Sequence, residues 1–184
     1  VYPSEISVDR MLTALYDTVL KSSDSRKEII FGRREPEFTD GTESFIHNNE
    51  GQNRAVNLGV NANDCALIHG PPGTGKTYTI ARLIRALVER GDRVLLTAFT
   101  NRAVDNALEA LRDQGFEDIC RVGTDTGIRE DMLDVQLETR GDPSERAADL
   151  RTAPVVAATT ASCGSRVMRE QEFDVALVDE ASQL

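Results

Sequence analysis

Apolar residues recur at helical spacing near the amino end, at Val8, Met11, Leu12, Leu15, Tyr16 and Val19, which predicts an amphipathic helix over 8–20. The run Ile29-Ile30-Phe31 suits a short strand, and the polar, turn-rich stretch 33–51 suits a linker. Residues 52–60 predict another helix, and Cys65-Ala66-Leu67-Ile68 a short buried strand that ends at Gly70. Over 76–90, Ile80, Leu83, Ile84, Leu87 and Val88 share one face, and Gly91 is the stop. Val94 to Phe99 predict a strand. Ala103, Val104, Ala107, Leu108 and Leu111 then mark a helix that ends near Gly115. Ile119 to Val122, 154–160 and 173–178 are three further strand-like runs. The helical stripes read as core. Strands that are apolar throughout and alternate with helices predict an α/β fold, a parallel sheet with helices on both faces.

Residues 124–153 break this rhythm, with 8 acids, 4 arginines and little apolar periodicity. They read as a solvated surface insertion, carrying short helices or looping freely. The net charge of −10 comes from 31 acids against 21 bases, of which only Lys21, Lys27 and Lys76 are lysines. By charge alone the chain does not look like a nucleic-acid binder. The alternative is an acidic proteome, as in a salt-loving organism, and the scarcity of lysine favours it. Cys65, Cys120 and Cys163 lack any C-x-x-C spacing, which points to buried thiols in a reducing cytoplasm rather than zinc or disulfides. His47 and His69 read as structural. No run is long and apolar enough for a membrane span, and no secretory leader is legible. The chain starts at Val1 rather than Met and stops at Leu184 just after a strand-like run, so a piece of a longer protein is expected.

Two motifs carry chemistry. Gly70-Pro71-Pro72-Gly73-Thr74-Gly75-Lys76-Thr77 fits G-x-x-x-x-G-K-T after a predicted strand and at the start of a predicted helix. Glycines let main-chain N–H groups curl around phosphate oxygens, and the helix start adds positive potential. Lys76 is expected to reach the β- and γ-phosphates of ATP, with the Thr77 hydroxyl on Mg²⁺. Val175-Ala176-Leu177-Val178-Asp179-Glu180 is a strand ending in two carboxylates. Asp179 is expected to hold Mg²⁺, and Glu180 to act as general base on the attacking water. These motifs predict a phosphate-loop nucleotide hydrolase without saying what it drives. Ring ATPases share the Pro-Pro loop but usually place the two motifs closer than the 103 residues between Lys76 and Asp179.

Four further stretches carry a family resemblance. Asp179-Glu180-Ala181-Ser182-Gln183 resembles motif II of the superfamily 1B helicases. Thr97-Ala98-Phe99-Thr100-Asn101-Arg102-Ala103-Val104-Asp105-Asn106 resembles motif Ia, Val155-Val156-Ala157-Ala158-Thr159-Thr160 motif Ic, and Gln52-Asn53-Arg54-Ala55-Val56 the Q motif. Order and spacing agree over roughly 26–184, least over 124–153. With Ile29-Ile30-Phe31 and Pro36-Glu37-Phe38, the chain looks most like the branch of the replication helicase–nuclease that trims Okazaki flaps. The nonsense-mediated-decay RNA helicase is a more distant relative.

The resemblance implies a RecA-like P-loop NTPase domain, with an amino-terminal helix and linker over 1–50. The first motor domain would then span 51–184, cut after motif II, with 124–153 as its insertion. It implies that Gln52 contacts the adenine edge, for which an amide is suited as donor and acceptor. It also implies that Thr100, Asn101, Thr159 and Thr160 touch the backbone of single-stranded DNA, or RNA. Hydroxyls and amides can hold phosphate without net positive charge. Movement would be 5′ to 3′. A second RecA-like domain would supply arginine fingers, so the 184 residues alone should hydrolyse ATP barely. The alternatives are a phosphate-loop ATPase without nucleic-acid work, or a non-catalytic ATP-dependent binding module.

Overall fold

The computed structural model describes residues 5–124, 126–137 and 141–183. Strands β1 (Val94–Ala98), β2 (Ile119–Val122), β3 (Val155–Thr159) and β4 (Val175–Asp179) form one sheet in the order β2-β3-β1-β4. Every pairing is parallel, and Ala98 at the end of β1 lies level with Thr159 of β3 and Asp179 of β4. The helices are α1 (Glu5–Lys21), α2 (Asp24–Ile30), α3 (Glu50–Val60), α4 (Lys76–Glu89), α5 (Asn101–Arg112), α6 (Pro143–Thr152), α7 (Thr160–Cys163) and α8 (Arg166–Arg169).

Side chains alternate across a strand, and here the alternation builds two cores. Val94, Leu96, Ala98, Val155, Ala157 and Ile119 pack with Ile84 and Leu87 of α4 and Val104, Leu108 and Leu111 of α5. Cys120, Val122, Val156 and Ala158 face the other way, onto Leu150 of α6 and Met168 of α8. Helices therefore cover both faces, as the apolar strands predict. The exception is β4, whose Ala176 and Val178 are exposed.

Two arginines hold the sheet at its two ends. At the amino end, Arg93 lies over the Phe173 ring at 4.5 Å and donates to the carbonyls of Leu150, Ala153 and Glu172. Toward the carboxyl end, the fully buried Arg121 of β2 donates from Nε to Asp105 Oδ1 of α5 at 2.9 Å and from Nη2 to Asn101 Oδ1 at 2.8 Å. The second Asp105 oxygen accepts the backbone N–H of Arg129 at 3.0 Å. One buried pair thus ties strand, helix and insertion together.

Several expectations are corrected. Ile29 and Ile30 lie in α2, which Ser23 caps by accepting the N–H of Arg26, and Phe31 closes that helix. Three apolar residues are too few to compete with a capped helix. Residues 65–70 form no ladder, and Leu67 is 90% exposed. A strand exists by pairing, and among the described residues β4 lies at an edge with β1 as its only neighbour. The insertion is only half solvated. Ile128, Met132, Val135 and Leu137 are buried, while Asp125 and residues 138–140 lie outside the described set. The insertion's helix α6 starts at a reciprocal cap between Asp142 and Glu145 with Pro143 in the first turn. That explains a helix where apolar periodicity predicts none. The backbone N–H groups of Glu145 and Ser144 hold the Asp142 carboxyl below its ordinary range. Cys65 is exposed, not buried, whereas Cys120 is buried and Cys163 half-buried, its thiol pushed up by that burial. The stretch before α3 is pinned rather than loose. Arg34 pairs with Asp64 at 2.8 Å, and Asn53 and Asn57 bond the backbone of Glu43.

Removing one member of a buried ion pair strands the other charge, at a cost of about 3–5 kcal/mol. Arg121→Leu is therefore expected to lower the urea-unfolding free energy by about that much. The double variant Arg121→Leu/Asp105→Leu should recover most of the loss. Equal losses in the two would show that the pair is not what anchors β2 to α5.

Candidate functional site

The phosphate-loop motif forms a turn ahead of α4. Gly73 and Gly75 stand at φ of 81° and 75°, a left-handed conformation that glycine adopts without steric cost. At Gly75 a Cβ would also fall 2.4 Å from Gln52 Nε2; the amide could move aside, so the φ angle is the firmer reason for glycine. Lys76 turns its ammonium back across the loop, donating to Gly70 O at 2.8 Å and Pro71 O at 3.1 Å. Thr74 Oγ1 donates to Pro71 O, and Pro71 and Pro72 are exposed on the loop's rim. The ammonium is thus held over the loop by weak neutral acceptors, which a phosphate can replace.

Gln52 reaches the same place from α3. Asn49 caps that helix by accepting the N–H of Gln52, and Gln52 Nε2 donates to Thr74 O at 2.9 Å. One amide hydrogen and the carbonyl oxygen of Gln52 remain for another partner. The sequence places Gln52 before the loop but gives no sign of this bond, which spans 22 residues.

The second cluster is made by the sheet. Because the strands are parallel, their following loops meet at one edge. Thr100 caps α5 by accepting the N–H of Ala103, and Thr159 caps α7 by accepting that of Ser162. Thr160 opens α7. Asn101 gives its carbonyl oxygen to Arg121, which leaves its NH₂ free of that bond. The partnership between Asn101 and a buried arginine is invisible in the sequence, where Arg121 stands alone in an apolar run.

Asp179 ends β4 on the same edge, and its Oδ1 accepts the N–H of Glu180 at 2.9 Å. Glu180 has φ of 52°. A non-glycine residue there stores roughly 1–3 kcal/mol and tends to mark a site where side-chain direction matters. No sequence pattern signals it. Among the described residues, no hydrogen bond or ion pair joins Asp179 or Glu180 to the phosphate loop. The loop with Gln52 is one cluster and the strand ends another, linked through α4 and its packing on β1 and α5.

The donor set suits a hard cation. The Thr77 hydroxyl makes no hydrogen bond among the described residues, and Asp179 keeps one oxygen outside its local bond to Glu180. Oxygen donors of this kind match Mg²⁺, which retains much of its water and takes few protein ligands. Among the described residues no helix is long and apolar enough to cross a membrane.

The chain is similar in sequence to known proteins. A family model described as an AAA domain matches residues 47–149, more than half of the chain. The DNA replication ATP-dependent helicase/nuclease JHS1 of Arabidopsis thaliana is 37% identical over 138 residues, which are 74% of this chain and 10% of that protein. The DNA replication ATP-dependent helicase/nuclease DNA2 of Saccharomyces cerevisiae is 33% identical over 181 residues, 89% of this chain and 12% of that protein. An uncharacterised ATP-dependent helicase of Methanocaldococcus jannaschii is 39% identical over 145 residues, 74% of this chain and 22% of its own length. The chain thus spans between a tenth and about a fifth of these three relatives. With its parallel sheet, glycine-rich loop and strand-end carboxylates, the chain belongs to the AAA-domain family of P-loop NTPases, in its superfamily 1B helicase branch.

Proposed function

We propose that this chain is the first RecA-like motor domain of a helicase that couples ATP hydrolysis to 5′ to 3′ movement on single-stranded DNA, with RNA as the alternative strand. The motor unit is residues 51–184, and 1–50 lead into it. One observation carries the reading. Ala98, Thr159 and Asp179 lie level across three adjacent parallel strands, so candidate strand contacts and candidate nucleotide chemistry share one rigid edge. A change at Asp179–Glu180 then has a short mechanical route to Thr100, Asn101, Thr159 and Thr160.

In this reading the main chain of Gly70, Pro71, Pro72, Gly73, Thr74 and Gly75 wraps the phosphates, and Lys76 exchanges its two carbonyl partners for phosphate oxygens. The helix start of α4 adds favourable potential. Gln52 keeps its bond to Thr74 O and offers its free amide atoms to adenine. Thr77 and Asp179 would hold Mg²⁺, which supplies positive charge against the phosphate oxygens when bound. Glu180 orients the attacking water and takes its proton. The left-handed backbone at Glu180, with its N–H bonded to Asp179, sets where that side chain leaves the main chain.

Arginine fingers stabilise charge on the transferring phosphoryl group and are worth about 10³–10⁵ in rate. We assign them to a second RecA-like domain, and the whole assembly to the cytoplasm. The 184 residues alone are then expected to bind ATP weakly and turn it over barely. Robust turnover by this chain that is abolished in Lys76→Ala would contradict that assignment. In the intact motor, Glu180→Gln should retain nucleotide affinity and lose hydrolysis by at least a hundredfold, within the range of general-base effects. A parallel loss of affinity in a fluorescent-nucleotide titration would remove Glu180 from the role of base. ATPase stimulation by a single-stranded oligonucleotide distinguishes a helicase motor from the two alternatives; its absence in the intact protein would favour an ATPase without nucleic-acid work.

A further inference from the structure

The run from Cys65 to His69 leads into the phosphate loop, yet the sheet does not hold it. Among the described residues it pairs with no strand and makes no hydrogen bond, and none of its side chains joins either core. Its position is therefore set from its two ends. At the loop end, Gly70 O accepts the Lys76 ammonium at 2.8 Å. At the other end stands Asp64.

Three segments converge on that carboxylate. Arg34 Nη2 donates to Asp64 Oδ1 at 2.8 Å, and the backbone N–H of Glu37 donates to Oδ2 at 2.9 Å. The same guanidinium reaches Ser25 Oγ of α2 at 2.9 Å and Glu37 Oε1 at 2.8 Å. Beside it, 37–39 run antiparallel to 61–63. Phe38 bridges Ala62, the Thr39 N–H donates to Asn61 O at 2.8 Å, and the Asn63 N–H donates to Glu37 O at 2.9 Å. A lone exposed ion pair contributes little, whereas a planar fork that serves several acceptors fixes direction. The Glu37 N–H, and after it Arg34, hold the Asp64 carboxyl below its ordinary range, so it stays ionised at neutral pH. Helix α3 closes the circuit. Gln52 near its start bonds Thr74 O in the loop, and Asn61 at its end opens the segment that carries Asp64.

We propose that Arg34 and Asp64 are positioning residues for the phosphate loop. Their clamp fixes the amino end of 65–69, and with it the direction from which Gly70 and Pro71 meet the phosphates. This rests on the reading of 70–77 as a triphosphate site and extends it, because it gives a part in nucleotide binding to 34–39, which precede the motor unit and carry no motif. The clamp touches no nucleotide and acts through the main chain. Its effect is therefore independent of the base, unlike that of a residue that contacts adenine.

The test uses the intact protein and measures, by calorimetry, binding of ATP and of inorganic tripolyphosphate, which has no base. Arg34→Gln and Asp64→Ala are each expected to weaken both ligands about tenfold, the scale of lost hydrogen bonds to a charged group. The double variant should bind no more weakly than the weaker single, since the same clamp is lost in each. Arg34→Lys keeps the charge without the fork; it is expected to show most of the loss, and it decides the matter if Arg34→Gln fails to fold. Arg112→Gln removes a comparable fork on α5, paired with Asp134 at 2.8 Å and Glu117 at 3.2 Å. It is expected to lower the melting temperature as Arg34→Gln does, with binding unchanged. Wild-type affinity in all the Arg34 and Asp64 variants, with binding lost in Lys76→Ala, would overturn the clamp and leave the triphosphate site standing. The same tenfold loss in Arg112→Gln would also overturn the clamp, because any similar weakening of the fold would then suffice. A folded wild type that binds neither ligand would overturn the site and the clamp together.

Discussion

The parallel pairing of β1 with β3 on one side and β4 on the other is the constraint on which the rest depends. A parallel sheet sends every strand end to the same edge, and the level register of Ala98, Thr159 and Asp179 leaves those ends without stagger. The connections must then cross back over the faces as helices, which bury the apolar strands on both sides. What remains for the edge is a row of helix starts, capped by Thr100 and Thr159, and the turn at Glu180. These polar positions follow from a topology that the hydrophobic core imposes.

Within that frame, the buried Arg121–Asp105 pair sets how the insertion sits. A buried ion pair gains little net stability over an apolar pair of similar shape, so its value here lies in what it fixes. It holds Asn101 by its carbonyl oxygen and Arg129 by its backbone N–H. The insertion is therefore registered against the strand-end loop by directional bonds, whereas its apolar residues Met132 and Val135 give adhesion without direction. An apolar replacement of the pair would leave the core intact and the orientation of Asn101 unset.

The legible parts of the sequence were those with strong periodicity or fixed spacing. The stripes over α4 and α5 give those helices to within a residue or two, because a buried helix face repeats over several turns. Val94–Ala98, Ile119–Val122 and Val155–Thr159 were legible because strands buried on both faces are apolar throughout. The run at 65–68 has the same composition but lies without a ladder, since composition does not report whether a neighbour is present. Ile29 and Ile30 carry a strand-like composition but lie in a helix, because the cap at Ser23 outweighs three apolar residues. At the site, the glycine-rich loop and the Asp179–Glu180 pair follow from chemistry written in consecutive residues. The Gln52–Thr74 bond, the Arg121–Asn101 bond and the left-handed backbone at Glu180 join distant residues or describe φ, and neither is encoded by local pattern.

The account's central claim is that the phosphate loop and the β4 carboxylates serve one nucleotide, although no hydrogen bond links them among the described residues. The most direct measurement is calorimetric titration with a slowly hydrolysed ATP analogue, with and without Mg²⁺, on the wild type and Asp179→Asn. The account predicts that Mg²⁺ tightens binding in the wild type and that Asp179→Asn loses most of that gain while retaining its metal-free affinity. An undiminished Mg²⁺ effect in Asp179→Asn would contradict it, because the metal would then be held without the strand-end carboxylate.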